Sequence, residues 1–94
     1  MRAIHPGEIL REDILPELNM SAGAFAGLLG VSRMNIYRIV KGKQAITPDM
    51  ALRLSKLLGN SAEFWLNLQN SYDLQVAEKG LSKELKAIKR LRAI

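Results

Sequence analysis

The residues between 33 and 38 carry side chains that can read base-pair edges: Arg33, Met34, Asn35 and Arg38. Arginine can donate two parallel hydrogen bonds to guanine O6 and N7, asparagine matches adenine N6 and N7, and methionine can pack on a thymine methyl. Ser32, Tyr37, Lys41 and Lys43 lie among and beyond them, and Ser21 lies upstream. Such hydroxyl and ammonium groups donate to phosphate oxygens, which set register and affinity without reading sequence. To act together the reading residues must share one side of one element. On a helix turning about 100° per residue, Ile36, Ile39 and Val40 fall on one stripe that should face a core. Met34, Arg38 and Lys41 fall opposite, flanked by Arg33 and Tyr37. Arg33 and Met34 then occupy the first turn, and Arg38 sits about one turn further along the same face. An ordinary surface helix with a solvated cationic face would show the same pattern.

Catalysis has little to work with. The chain holds no cysteine and a single histidine, His5. That excludes disulfides, a cysteine zinc finger and a thiol nucleophile, and it makes a histidine metal site or a catalytic triad hard to assemble. His5 and Glu8 could be paired as acid and base, but no nucleophile, metal set or phosphate loop accompanies them, and a helix-entry turn fits better. Gly23, Gly27 and Gly30 follow no strand, so they form no dinucleotide fingerprint. No cofactor and no metal are expected, and a small nuclease is the remaining enzymatic reading.

The elements that would position the reading face are helices. The chain's 94 residues make one domain, and 48% hydrophobic with 24% charged residues is a globular composition. No apolar run approaches the roughly 18 residues of a membrane span, and the N-terminus has no secretory core, so a cytoplasmic location is expected. Pro6 suits a first helical position with Glu8 in the first turn, and Pro16 should stop or kink that helix near Leu15. Ser21 is a candidate N-cap for Ala22–Leu29, with Gly30 as its stop. Ser32 caps a helix from Arg33 to about Lys41, stopped by Gly42. Thr47-Pro48-Asp49 opens a helix to Leu58, with Gly59 after it. Ser61 caps a longer helix to about Lys79, ended by Gly80, and Ser82 caps a last helix toward the C-terminus. Two short helices joined by Gly30-Val31-Ser32 have the proportions of a helix-turn-helix, which lays its second helix in the major groove.

The charge is segmented. The formal total is +5, made of −2 over residues 1–29, +5 over 30–59, −3 over 60–78 and +5 over 79–94. A basic balance points to a polyanionic partner, and alternating blocks leave room for a second, basic one.

Ordered segments along the chain are similar to the HigA-type antitoxins, a family of XRE/Cro-like helix-turn-helix proteins. They are His5-Pro6-Gly7-Glu8-Ile9-Leu10, Leu29-Gly30-Val31-Ser32-Arg33, Lys41-Gly42-Lys43 and Ile46-Thr47-Pro48-Asp49-Met50-Ala51-Leu52-Arg53-Leu54. Glu63-Phe64-Trp65-Leu66-Asn67-Leu68-Gln69 and Tyr72-Asp73-Leu74 follow, so the likeness covers roughly residues 4–78. It implies an all-α, five-helix phage-repressor-like fold over residues 1–79; beyond it, the helical spacing of Leu81, Leu85, Ile88 and Leu91 among cations predicts a basic amphipathic helix at 80–94. The resemblance further implies a homodimer that binds double-stranded operator DNA, represses its own operon and neutralises a HigB-type ribonuclease toxin. The Cro-like pattern carries base contacts onto Arg33, Met34 and Arg38. Two places depart from it. Near the start of the second helix, where a polar phosphate-contacting residue is common, this chain reads Ser21-Ala22-Gly23. Where cations are common it reads Gly27-Leu28, and Leu28 could pack or meet a partner instead.

Three surfaces follow from this reading. Phe64 and Leu68 suit the core, while Trp65 and Tyr72 are either core residues or a dimer contact. Glu8, Glu12 and Asp13 are either a solvated face or a toxin-binding surface. The tail stripe of Leu81, Leu85, Ile88 and Leu91 could pack on the domain, cross the dimer, or meet a membrane surface or nucleic acid. The alternative to an antitoxin is a stand-alone transcriptional regulator without a toxin.

Overall fold

The first helix, α1, is built from three consecutive pieces: Pro6–Ile9, a π-helical turn Leu10–Ile14, and Leu15–Leu18. The structure is a computed structural model, and it describes residues 2–91. Of the stop or kink expected at Pro16, the stop does not occur: the helix continues through a π turn. A proline lacks the N–H of the α ladder, and its ring crowds the carbonyl four residues back. Here the Leu15 N–H donates to the Leu10 carbonyl, five residues back, so the ladder widens just before the proline. Pro16 then sits in the first turn of the next piece, where no N–H is required of it. The helix ends at Asn19, in the left-handed conformation at φ 53°.

The next helices begin on hydroxyl caps. α2 (Ala22–Leu29) starts with the Ser21 hydroxyl accepting from the Ala24 N–H at 3.1 Å, and α3 (Arg33–Val40) with Ser32 accepting from the Asn35 N–H at 3.1 Å. Between them Gly30 adopts φ 73°, and the Val31 N–H donates to the Ala26 carbonyl, which closes the turn. α4 (Pro48–Leu58) is capped by Thr47 and ends at Gly59, and α5 (Ala62–Gly80) is capped by Ser61. α6 (Ser82–Ala87) has no side-chain cap: Leu81 occupies the capping place and Ser82 is already helical. Residues 88–91 leave the helix, and 92–94 lie outside the described residues. The helix expected over 80–94 is therefore the single short segment Ser82–Ala87.

The core gathers one stripe from each of the first five helices. Leu10, Phe25, Ile36, Ile39, Ala51, Leu54 and Trp65 are buried to 1% exposure or less. Trp65 corrects the sequence reading. It is fully buried and its indole N–H donates to Asn60 Oδ1 at 2.9 Å, whereas Phe64 is 42% exposed and stacks edge-on against it. The inward side of α5 is set by Trp65 and Gln69, one turn apart, and Phe64 falls about 100° away from Trp65. A dimer contact through Trp65 is thereby ruled out. Gln69 is buried as well. Its Oε1 accepts from the Ile46 N–H at 2.8 Å and its amide donates to Asp73 Oδ1 at 2.9 Å, which ties the loop before α4 to α5.

The start of α1 is pressed onto the end of α3. A Cβ added to Gly7 would lie 1.7 Å from the Ile39 carbonyl oxygen, so only glycine fits there. His5 caps the helix through Nδ1, which accepts from the Gly7 N–H at 2.9 Å. Its ring meets the Tyr72 ring edge-on at 5.0 Å. The Arg11 guanidinium reaches across to the Val40 carbonyl at 3.0 Å and satisfies the end of α3. Among the described residues no helix is long and apolar enough to cross a membrane.

Burial holds the His5 pKa below its usual 6.5, against smaller upward pulls from the Asp73 charge and the Gln44 backbone. The unfolded chain therefore takes the proton first as pH falls. Stability is full above pH 6.5 and declines below it. Thermal melts across this range should show the decline, and His5→Asn, which keeps a capping oxygen, should flatten that part of the profile. Gly7→Ala should cost about 3 kcal/mol or more in urea melts, because the clash is with backbone rather than a movable side chain.

Candidate nucleic-acid interface

The outward face of α3 matches the angular reading. Arg33, Met34, Tyr37, Arg38 and Lys41 are exposed, while Ile36, Ile39 and Val40 are buried behind them. Met34 is 53% exposed, a large apolar area to leave in water beside cations. Arg33, Met34 and Tyr37 line a shallow surface cleft of about 330 Å³. The Lys41 ammonium lies 4.4 Å from the Tyr37 ring centroid, a cation–π contact that orders both side chains at one end of the face. Lys43 is exposed in the following loop. That loop folds tightly because Gly42 takes φ 72° and the Lys43 N–H donates to the Arg38 carbonyl at 2.9 Å.

Three salt bridges occur among the described residues, Arg2–Glu8, Arg11–Glu12 and Asp49–Arg53, and none of them involves Arg33, Arg38, Lys41 or Lys43. The positive charge of this face is therefore not cancelled by carboxylate partners. Ser21 and Ser32 are exposed at the helix starts. Each accepts a backbone N–H as a cap, and each keeps a hydroxyl hydrogen to donate.

Asn35 does not join the reading face. It is half-buried, and its Oδ1 accepts from the Gln44 side-chain amide. This bond braces α3 against the loop that carries Lys43. Arg53 supplies a second brace that sequence reasoning missed. Its Nη1 donates to the Leu29 carbonyl at 2.8 Å while Nε pairs with Asp49 at 2.6 Å. The pairing with Asp49 was readable from the i, i+4 spacing. The reach to Leu29 was not, because it joins α4 to the end of α2.

The acidic candidates separate. Glu8 is held by Arg2 through two hydrogen bonds, at 2.9 and 2.7 Å, and these keep its carboxyl below the usual range. Glu12 pairs with Arg11 at 3.2 Å. Asp13 has no such partner among the described residues, and with Glu17 it borders a groove floored by Ile14, Leu18 and Leu58. Tyr72 is half-buried on His5. Leu74, Val76, Leu81 and Leu85 are exposed along α5 and α6.

A helix-turn-helix family model matches residues 10–65 of the chain. Virulence-associated protein I of Dichelobacter nodosus is 51% identical over 79 residues, spanning 84% of this chain and 73% of that protein. Antitoxin HigA-1 of Vibrio cholerae is 32% identical over 90 residues, spanning 96% of this chain and 85% of that protein. Among solved structures, antitoxin GraA in complex with its operator superposes with a TM-score of 0.92 at 46% identity, over 99% of this chain and 95% of that one.

Replacing Arg53 by methionine keeps the aliphatic stem and removes the bond to Leu29. Chemical denaturation should show a loss of about 1–2 kcal/mol, and hydrogen exchange should speed up first in the turn around Gly30.

Proposed function

The chain belongs to the helix-turn-helix family of HigA-type antitoxins, and from that premise we propose that it represses its own operon as a homodimer and neutralises a HigB-type ribonuclease toxin. What carries the reading is the outward row of Arg33, Met34 and Arg38, backed by a fully packed rear stripe and uncancelled by carboxylates. The operator-bound GraA structure supports it, since so similar a chain is shown on DNA.

In this mechanism each protomer lays α3 in a major groove. Arg33 and Arg38 donate to guanine edges and Met34 packs on a thymine methyl. Ser21, Ser32, Tyr37, Lys41 and Lys43 contact phosphates and set the register. Reading a palindrome requires two such helices about 34 Å apart, one turn of the duplex, hence the dimer. With Trp65 in the core, the dimer contact falls to the outward apolar residues of α5 and α6, with Tyr72 at their inner end. The acidic surface of α1 around Glu8, Glu12 and Asp13 receives the basic toxin, and of these three only Asp13 has no salt-bridge partner among the described residues. Occlusion of the promoter follows from operator binding. The competing reading is a regulator with no toxin, and it is favoured if the adjacent open reading frame yields no copurifying ribonuclease.

The test is a salt-titrated operator shift with DNA upstream of the gene, combined with coexpression of the neighbouring open reading frame. Arg38→Ala should cost about 1–3 kcal/mol and relax selectivity at one base pair. Lys43→Ala should weaken all sequences alike and lower the salt slope by about one. Unchanged operator preference in Arg38→Ala would remove that residue from base readout.

A further inference from the structure

Gly23 lies in the first turn of α2, facing α3, and nothing about the backbone calls for a glycine there. The positive-φ glycines among the described residues are Gly30, Gly42 and Gly59. Unlike Gly7, Gly23 has no backbone pressed against it. A Cβ at Gly23 would meet the Arg33 stem, with Cδ at 3.1 Å and Cγ at 3.6 Å, and Ser21 Oγ at 3.9 Å. Glycine within a helix is less favourable than alanine, and at Gly23 the bare Cα has the Arg33 stem lying against it. Gly27, on the same helix, has nothing within 4 Å of its added Cβ.

We propose that Gly23 is a specificity-determining position: the missing side chain forms a shelf on α2 across which the Arg33 stem lies, so that the guanidinium is aimed from one fixed direction. The residue acts through Arg33 and touches no base itself. An arginine has several rotatable bonds, and bidentate recognition of guanine demands one planar approach. Laying the Cγ and Cδ methylenes against a neighbouring helix restricts that freedom before DNA arrives, which favours one base over its alternatives. The shelf also gives a role to the departure at Ser21-Ala22-Gly23. The surface that would otherwise carry a long polar phosphate-contacting side chain is kept bare, and Arg33 occupies it. The inference rests on the assignment of Arg33 to base readout.

The experiment is selection from randomised duplex DNA by the full chain and four variants, Gly23→Ala, Gly27→Ala, Arg33→Ala and the Gly23→Ala/Arg33→Ala double, with a thermal melt on each. Gly23→Ala is expected to change preference at one base pair by about fivefold, the lower end of what a bidentate contact discriminates. Its melting temperature should not fall, and its salt slope should stay unchanged. The change should vanish in the Arg33→Ala background, as a coupled pair requires. Gly27→Ala should leave preference untouched. Unchanged preference in Gly23→Ala, a change that persists without Arg33, or a lower melting temperature in Gly23→Ala would each overturn the proposal. If Arg33→Ala itself leaves preference unaltered, the assignment of Arg33 to base readout fails first, and the shelf falls with it.

Discussion

The fold depends on a close approach that only glycine permits: Gly7 against the Ile39 carbonyl. It lets α1 begin directly behind the end of α3, and the contacts around it share that purpose. His5 caps the α1 start through the Gly7 N–H, Arg11 satisfies the Val40 carbonyl, and Tyr72 closes over His5 from α5. A helix of eight residues such as α3 is too short to be stable alone in water. Its form and direction come from what is packed behind it, and this junction fixes its far end as Arg53 fixes the turn before it. A base-reading helix has to be held rigidly, since misdirected donors discriminate poorly.

Seen from that junction, the molecule divides its polar groups by task. Asn35, Gln44, Arg53 and Gln69 spend their hydrogen bonds inside the protein, each tying a loop or turn to a helix. Arg33, Arg38, Lys41 and Lys43 stay outside, unpaired with carboxylates among the described residues. The net charge of +5 is thus a composite. Part of the central basic block is structural and part faces outward from α3, while an equal formal charge lies in the sequence of residues 79–94. On the proposed function, phosphate contacts from the outward set would give affinity that falls with salt, and Arg33 and Arg38 would supply discrimination.

The local part of this design was legible in the sequence. Ser21, Gly30, Ser32, Thr47-Pro48, Gly59 and Ser61 mark helix ends by bonds within a few residues, so spacing suffices to find them. The buried stripe of Ile36, Ile39 and Val40 was legible too, because helical periodicity sets it. The misses share another cause. Trp65 and Phe64 are neighbours, and which one points inward depends on the rotation of α5 about its axis, a tertiary matter. Asn35 looked like a base reader until Gln44, nine residues on, was seen to engage it. Pro16 left a stop and a kink both open, because a π turn leaves no mark in composition. Arg53 reaching Leu29, and Gly7 meeting Ile39, are contacts between segments far apart in sequence, which neither caps nor periodicity encode.

Amide hydrogen exchange of the full chain, free and bound to duplex DNA carrying its upstream region, tests the central assignment most directly. Slowed exchange should concentrate over residues 21–24 and 32–44, the starts of α2 and α3 and the loop behind them, with α6 largely unchanged or protected in both states. Protection appearing instead over residues 79–91, with α3 unaffected, would contradict it and move the DNA-binding surface to the tail.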